Sequence, residues 1–259
     1  MDMPTQRELA RLLAALRRDG HQQSGLGARL VPPDPATAYK VAGLVAEELG
    51  WPVLGWKIAA FKAEMQQALR TRSPIYGRTF FVKETPVTFV HAKLASPIPE
   101  VEYQARLGAD LPPRIKPYSQ EEVTEAITSL HPGLELAECR FVHDAAFPPL
   151  PAILADGAGS GTIVYGPAIA DWKTRDIAGQ EATLTSDGRL RRKGTAGAAL
   201  DHPMSPVTWL ANELSRTGVG MKAGQMVSTG TLTGMLAPKP GETYVADFGP
   251  FGSVTVAFS

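Results

Sequence analysis

The spacing of apolar and polar residues divides the chain into a helical beginning and a strand-rich remainder. Apolar side chains recur at helical spacing through residues 9–16, and residues 5–8 before them match a capping-box pattern. This predicts a first helix that ends at Gly20. An aspartate followed by a proline opens the range 34–50, which closes with a glycine. These end signals predict a second helix there.

From Trp51 onward, short apolar runs alternate with glycine and proline, which is typical of strands. The same stretch contains three shorter helical patterns and a C-terminal hairpin pattern, predicted at residues 62–69, 119–130, 205–216 and 245–258. The chain is therefore predicted to have an α+β fold with a mostly β core. Residues 1–80 are expected to form a mainly helical N-terminal cap, and residues 81–259 a β-rich core.

Residues 98–107 alternate in the manner of a strand, with Glu100 and Glu102 on the same side. Two carboxylates that close together repel each other unless a proton or a cation lies between them. At neutral pH, Mg²⁺ or Mn²⁺ is the usual solution, because these ions prefer oxygen ligands. The pattern therefore raises the hypothesis of a metal site. The alternative is that both glutamates lie on the wet face of an antiparallel strand.

A third carboxylate, Glu135, lies in a second strand-like run over residues 134–141. It shares its predicted face with Cys139 and Phe141, and a buried carboxylate on an apolar face is costly without a partner. The alternative is a solvated residue at a sheet edge. Glu138 competes for the role of third ligand, but it falls on the opposite face of the predicted strand.

Lys57 stands in an otherwise apolar stretch, residues 53–60. Its side chain must either extend outward to water or meet an anion in the interior. A desolvated lysine is a plausible proton donor. The residues alone leave both possibilities open.

Composition narrows the possible partners. Lys and Arg number 26 and Asp and Glu number 26, giving a formal net charge of +0, so a nucleic-acid partner is not expected. No apolar run is long enough to span a bilayer, and no membrane partner is expected. The single cysteine, Cys139, is compatible with a reducing compartment, and a cytoplasmic location is expected.

Four further motifs lie at residues 55–58, 156–161, 227–233 and 246–254. The three carboxylates lie between the first motif and the second. In this order the chain resembles the 2-keto-4-pentenoate hydratase and 4-oxalocrotonate decarboxylase branch of the fumarylacetoacetate hydrolase superfamily. The resemblance covers nearly the whole chain. It implies a core of the fumarylacetoacetate hydrolase type that carries the catalytic site, and a homo-oligomer of unspecified size.

The resemblance also implies roles for individual residues. Lys57 matches the catalytic lysine, expected to have a pKa lowered by burial and by the nearby cation. Ser160 and Thr231 are expected to bind the carboxylate end of a small unsaturated 2-oxo acid. The alternative for these two is a serine in a tight turn and a threonine on an ordinary strand. The implied Mg²⁺ or Mn²⁺ ligands are Glu100, Glu102 and Glu135.

Two departures from the family pattern leave the reaction open. Ile75 stands where related hydratases carry an aspartate, and Gly157 where they carry a polar residue. Hydratase and decarboxylase activity both stay possible. An acylpyruvate hydrolase would need a His and Glu pair, for which only His21 is available in a suitable loop. A non-catalytic protein that binds oxo acids or metal is the third possibility.

Overall fold

A computed structural model describes residues 1–259, in which twelve strands form two sheets flanked by helices. The seven helices are α1 (Met3–Asp19), α2 (Pro35–Leu49), α3 (Ala63–Ala68), α4 (Gln120–Ala126), α5 (Leu150–Ala155), α6 (Ala196–Leu200) and α7 (Met204–Arg216). The strands are β1 (Gly55–Ala59), β2 (Ile75–Thr79), β3 (Phe81–Glu84), β4 (Val87–Phe89), β5 (Ile98–Leu107), β6 (Ile127–Ala137), β7 (Thr162–Tyr165), β8 (Glu181–Ser186), β9 (Arg189–Thr195), β10 (Met226–Ser228), β11 (Thr243–Asp247) and β12 (Ser253–Phe258). The α+β fold class is confirmed.

The first sheet has seven strands in the order β2-β1-β10-β5-β6-β7-β3, and the second has five in the order β4-β12-β11-β8-β9. The long antiparallel pair β5 and β6 lies at the centre of the first sheet. Alternate residues of β5, Val101, Tyr103 and Ala105, belong to the main hydrophobic core together with residues of β8, β11 and β12. This apolar face of the first sheet therefore packs against the second sheet. The opposite face carries the polar residues of β5.

A second hydrophobic cluster joins the N-terminal helices to α5 and to the edge of the first sheet. The helices α1 and α2 pack on each other, and α2 packs on α5. Strands β1 and β2 come from the predicted cap region, residues 1–80, yet both pair within the seven-stranded sheet. The division of the chain at residue 80 stays a prediction. None of the helices has the length and apolarity needed to cross a membrane.

Three predicted helix boundaries are corrected. The α1 helix begins at Met3, with the Asp2 side chain accepting a hydrogen bond from the Thr5 backbone N–H, so the capping box at residues 5–8 is wrong. The α7 helix begins at Met204 rather than after an N-cap at Ser205. The α4 helix ends at Ala126, because the residues that follow pair with β5 as strand β6.

Strand β6 was also predicted in the wrong place. It covers Ile127–Ala137, whereas the sequence pattern indicated residues 134–141. Pairing with β5 ends where Ile98 meets Ala137, and beyond it the Glu138 backbone N–H bonds to the Gly159 carbonyl. The predicted ends of α1, at Gly20, and of α2, at Gly50, are confirmed, as is the C-terminal hairpin of β11 and β12.

Candidate active site

The polar face of the seven-stranded sheet brings together residues from four neighbouring strands. In the strand register, Lys57 of β1 lies beside Ser228 of β10, and Ser228 lies beside Gln104 of β5. Across the next strand pair, Glu100 lies opposite Glu135 of β6. Residues that pair directly across strands point to the same face of a sheet. The face therefore carries a continuous buried polar strip.

Four of the six predicted site residues meet on this strip. One carboxylate oxygen from each of Glu100, Glu102 and Glu135 lies within 4.8 Å of the other two. The Lys57 Nζ atom is 3.5 Å from Glu135 Oε2. Lys57 is only 3% exposed, so the outward-pointing alternative is wrong. The alternative of solvated glutamates is wrong as well, because the three carboxylates are between 1% and 7% exposed.

Burial dominates the electrostatics of the cluster. It raises the pKa of Glu102 well above the usual value, and the neighbouring Glu135 and Glu100 charges raise it further. Burial likewise raises the pKa of Glu135 to about 7, although the Lys57 charge opposes this. Burial also raises the pKa of Glu100, and the Lys57 charge again opposes the shift. Three carboxylates in one dry site resist simultaneous ionisation.

The same charges act in the opposite direction on Lys57. Burial alone would lower the pKa of its ammonium group, but the carboxylates of Glu135, Glu100 and Glu102 outweigh burial and raise it. The expected lowering by burial is therefore present but outweighed, and the lowering expected from a bound cation stays a prediction. Lys57 is a protonated group at neutral pH, held in contact with acidic partners.

The cluster fits a divalent cation. Both oxygens of Glu135 are buried and accept no hydrogen bond from the protein. Three ionised carboxylates against one ammonium leave two negative charges, which a divalent cation would neutralise. The donor atoms are all carboxylate oxygens, with no histidine or cysteine, and this set suits hard ions such as Mg²⁺ and Mn²⁺.

Ser160, the fifth predicted residue, is fully buried in the loop between α5 and β7. Its Oγ atom is 3.0 Å from the Oγ1 atom of Thr79, whose side chain is also buried. Thr79 pairs with Gly55 at the start of β1, so it lies on the face that carries Lys57. Sequence reasoning missed Thr79. Thr79 stands two residues after Gly77, so strand alternation places both residues on the same face, and this was the sequence signal that could have indicated Thr79.

Two arginines hold the Ser160 loop in place. Arg17 of α1 and Arg140 each donate hydrogen bonds to the carbonyl oxygens of Asp156 and Ser160. The Arg140 Nε–H also donates a bifurcated hydrogen bond to both oxygens of the Asp156 carboxylate, at 2.8 and 2.9 Å. Burial, together with the charge of Arg140, lowers the pKa of Arg17 to about 9. The loop is thereby tied both to the N-terminal helix and to the end of β6.

Thr231, the sixth predicted residue, bonds within its own turn. Its hydroxyl accepts a hydrogen bond from the Gly234 N–H and donates one to the Gly234 carbonyl. Strand β10 ends at Ser228, so Thr231 lies beyond it and the alternative of a threonine on an ordinary strand is wrong. The substrate role of Thr231 stays a prediction.

The two departures from the family pattern are also visible. Ile75 is buried in the cluster of the N-terminal helices and offers no polar group. Gly157 has a left-handed backbone, with φ +84°, and its carbonyl oxygen would lie 1.9 Å from a Cβ atom at Gly77. The loop therefore packs directly on β2. Glu138 lies outside the cluster and accepts a hydrogen bond from the Ala95 N–H.

Comparison with known proteins decides the family. Residues 58–258 match the family model described as fumarylacetoacetate hydrolase, C-terminal. The chain belongs to this family. A 2-keto-4-pentenoate hydratase of Paraburkholderia xenovorans is 30% identical over 216 residues, covering 81% of this chain and 77% of that protein. A 4-oxalocrotonate decarboxylase of Pseudomonas putida is 26% identical over 215 residues, covering 82% and 80%.

Among solved structures, a 4-oxalocrotonate decarboxylase from Pseudomonas putida, complexed with magnesium and adipate, superimposes with a TM-score of 0.90. The match covers 100% of this chain and 99% of that one, at 23% sequence identity. The fold expected from the resemblance, a fumarylacetoacetate hydrolase core with N-terminal helices, is therefore confirmed.

Proposed function

We propose that this member of the family is a divalent-metal-dependent lyase acting on a short unsaturated 2-oxo acid of aromatic catabolism. The reaction is hydration of a 2-hydroxydienoate or decarboxylation of a 2-oxo-3-enedioate. The observation that carries the proposal is the buried cluster of three carboxylates in contact with one lysine. The hydratase and decarboxylase names of the relatives support the same chemistry.

Glu100, Glu102 and Glu135 would hold the cation, either Mg²⁺ or Mn²⁺. When bound, such a cation supplies Lewis-acid stabilisation of negative charge on the oxygens of a 2-oxo acid. These three side chains and that of Lys57 are no more than 7% exposed, so the site is shielded from bulk water, which strengthens these electrostatic interactions.

Lys57 would act as the proton donor. Its ammonium group is buried, and the surrounding carboxylates keep it protonated at neutral pH by raising its pKa, although burial opposes them. Hydration and decarboxylation both proceed through a dienolate that must receive a proton, and a positioned acid accelerates such a step. Ser160 and Thr231 are proposed to bind the substrate carboxylate, with Thr79 orienting the Ser160 hydroxyl.

An acylpyruvate hydrolase is less well supported. Such an enzyme would need a histidine and a glutamate to activate water, but the carboxylate cluster includes no histidine. His131 is already bonded to the Gly166 carbonyl and to Ser129, and His21 is exposed after α1. No observation in the structure favours this reaction over a lyase.

The decisive assay incubates the protein and Mg²⁺ or Mn²⁺ with three substrates in parallel: 2-hydroxypenta-2,4-dienoate, 2-oxo-3-hexenedioate and fumarylpyruvate. We expect hydration of the first or release of CO₂ from the second, identified by NMR of the products. Cleavage of fumarylpyruvate alone would indicate a hydrolase. Binding of all three without turnover would indicate a non-catalytic protein.

The metal ligands can be tested separately. In crystals soaked with Mn²⁺, we expect one anomalous peak among the carboxylates of Glu100, Glu102 and Glu135. The absence of such a peak would exclude this ligand set. We also propose a homo-oligomer in the cytoplasm, and analytical ultracentrifugation would measure its size.

A further inference from the structure

The Glu102 carboxylate is held by the protein through one of its two oxygens. Its Oε2 atom accepts a hydrogen bond from the Ser228 hydroxyl at 2.6 Å and a second from the Gly230 backbone N–H at 2.7 Å. No hydrogen bond from the protein reaches Oε1. The two donors therefore leave Oε1 free for a different partner.

The direction of each hydrogen bond follows from the chemistry of the groups. With a cation bound, Glu102 is ionised and only accepts, so Ser228 donates its single hydroxyl hydrogen to it. The Ser228 oxygen then accepts from the Gln104 side-chain amide nitrogen, at 2.8 Å. This fixes the orientation of the Gln104 amide, which leaves its own Oε1 atom buried without a partner. The three side chains form one directed chain that ends on Glu102.

A glycine makes room for this arrangement. Gly133 of β6 lies directly opposite Glu102 in the register of β5 and β6. A Cβ atom at Gly133 would lie 2.2 Å from Gln104 Cγ, and its three nearest contacts would all be atoms of the Gln104 side chain. The missing side chain at Gly133 therefore leaves room for the Gln104 side chain in the position from which it donates to Ser228, which lies on β10 at the other side of β5.

We propose that Gln104 and Ser228, in the space left by Gly133, are positioning residues that turn the free oxygen of Glu102 toward the divalent cation. The inference rests on the proposed metal-dependent function. Hydrogen-bonded partners behind a metal ligand fix its rotamer, and their loss typically lowers metal affinity about 10- to 100-fold. A chain of aligned hydrogen bonds strengthens each of its members in a dry interior.

The first test measures Mn²⁺ affinity by isothermal titration calorimetry for the unmodified protein and three variants. We expect Ser228→Ala to weaken Mn²⁺ binding about 10- to 100-fold, and Ser228→Thr, which keeps the hydroxyl, to retain most of the affinity. The matched control is Ser186→Ala, which removes another buried serine hydroxyl, in β8 of the second sheet. Its Mn²⁺ affinity should equal that of the unmodified protein.

The second test is a double-mutant cycle between Gly133→Ala and Gln104→Ala, with the same calorimetric measurement. Gly133→Ala should weaken Mn²⁺ binding when Gln104 is present, because the new methyl group displaces that side chain. On the Gln104→Ala background the space is free, so Gly133→Ala should have no further effect. Such coupling identifies residues that act through one another.

The outcomes separate this inference from the proposed function. Failure of the unmodified protein to bind Mn²⁺ would overturn the metal-dependent function itself. Normal Mn²⁺ binding by both the unmodified protein and Ser228→Ala would overturn the positioning role and leave the function standing. Additive effects of Gly133→Ala and Gln104→Ala would likewise overturn the role assigned to Gln104.

Discussion

At the scale of single residues, Lys57 combines complete burial with contact to an acidic partner. We expect Lys57→Met, which is similar in volume but cannot donate a proton, to reduce the turnover rate by about two to four orders of magnitude. Affinity for Mn²⁺ should change far less, because the three carboxylates are kept. Product formation under saturating metal measures the effect. Near-normal turnover would show that the proton comes from another group.

Among the three clustered carboxylates, Glu102 accepts the most hydrogen bonds from the protein, two of them on a single oxygen. Glu102→Gln preserves its shape but removes a negative charge, so Mn²⁺ binding should weaken and turnover should be abolished while the fold is kept. Calorimetry with Mn²⁺ and circular dichroism test the two parts. The matched control is Glu138→Gln, at a partly buried carboxylate that follows β6 and lies outside the cluster, and this variant should bind Mn²⁺ normally. Unchanged activity of Glu102→Gln at limiting metal would contradict its assignment as a ligand.

Burial raises the pKa of Glu135 from 4.5 to about 7, against the opposing charge of Lys57, which makes the stability of the metal-free protein depend on pH. Between these values the folded protein holds a proton that the unfolded chain releases, so the free energy of unfolding should fall as pH rises from about 4.5 to 7. For Glu135 alone the loss is of order 3 kcal/mol.

Urea denaturation in EDTA at several pH values checks this dependence. Glu135→Gln resembles the protonated carboxyl, so its unfolding free energy should depend less on pH across the same range. The unfolding free energy of Glu135→Gln minus that of the unmodified protein should rise from pH 5 to pH 7. If this difference stays constant, the expectation is wrong.

At the scale of secondary-structure elements, the pairing of β5 with β6 determines the site. Glu100 lies opposite Glu135 because the two strands keep one register over most of their length. A slip by one residue would turn Glu135 to the apolar face that packs on the second sheet. The site therefore depends on the correct alignment of this strand pair.

The loop between α5 and β7 depends on a buried charge cluster. The Asp156 carboxylate lies between Arg17 and Arg140. Its Oδ1 atom is 3.9 Å from Arg17 Nη2 and 2.8 Å from Arg140 Nε. Asp156→Asn would leave two buried guanidinium groups without their counter-ion, and we expect a loss of about 3–5 kcal/mol of stability. Urea denaturation measures it. The matched control is Asp201→Asn at the exposed pair with Lys62, which should cost under about 1 kcal/mol. Equal effects of both substitutions would contradict this account.

At the scale of the whole molecule, the first sheet separates an apolar core from a charged interior. Its apolar face packs on the second sheet, and its polar face concentrates three carboxylates that repel one another. A cation that binds only the folded protein stabilises it, and the stabilisation grows with the logarithm of the ratio of ion concentration to dissociation constant. Mg²⁺ should therefore raise the melting temperature, and more strongly at pH 8 than at pH 6, because its ligands must be deprotonated.

Thermal unfolding with Mg²⁺ and with EDTA at both pH values measures this shift. In Glu135→Gln the shift should be smaller at pH 8, since one charged ligand is lost. A Mg²⁺ effect of equal size in Glu135→Gln would show that the ion acts somewhere else on the protein.

Local sequence signals were sufficient for several features. The ends of α1 and α2 at Gly20 and Gly50 depend on a left-handed glycine that follows each helix directly. The common orientation of Glu100 and Glu102 depends only on strand alternation, and residues nearby in the chain determine it. The family motifs predicted the fold correctly, and the roles that they imply for Lys57 and the three carboxylates stay predictions.

Other features were decided by contacts between distant parts of the chain. The bounds of α4 and β6 depend on pairing with β5, which overrides the helical pattern after Ala126. Glu102 meets the Ser228 hydroxyl across 126 positions of the sequence, and Arg17 reaches the Asp156 carbonyl across 139. Spacing in a sequence describes only neighbours within a few turns or strand positions. Hydrogen-bond partners and the burial of charges are determined only when the sheets and helices pack together.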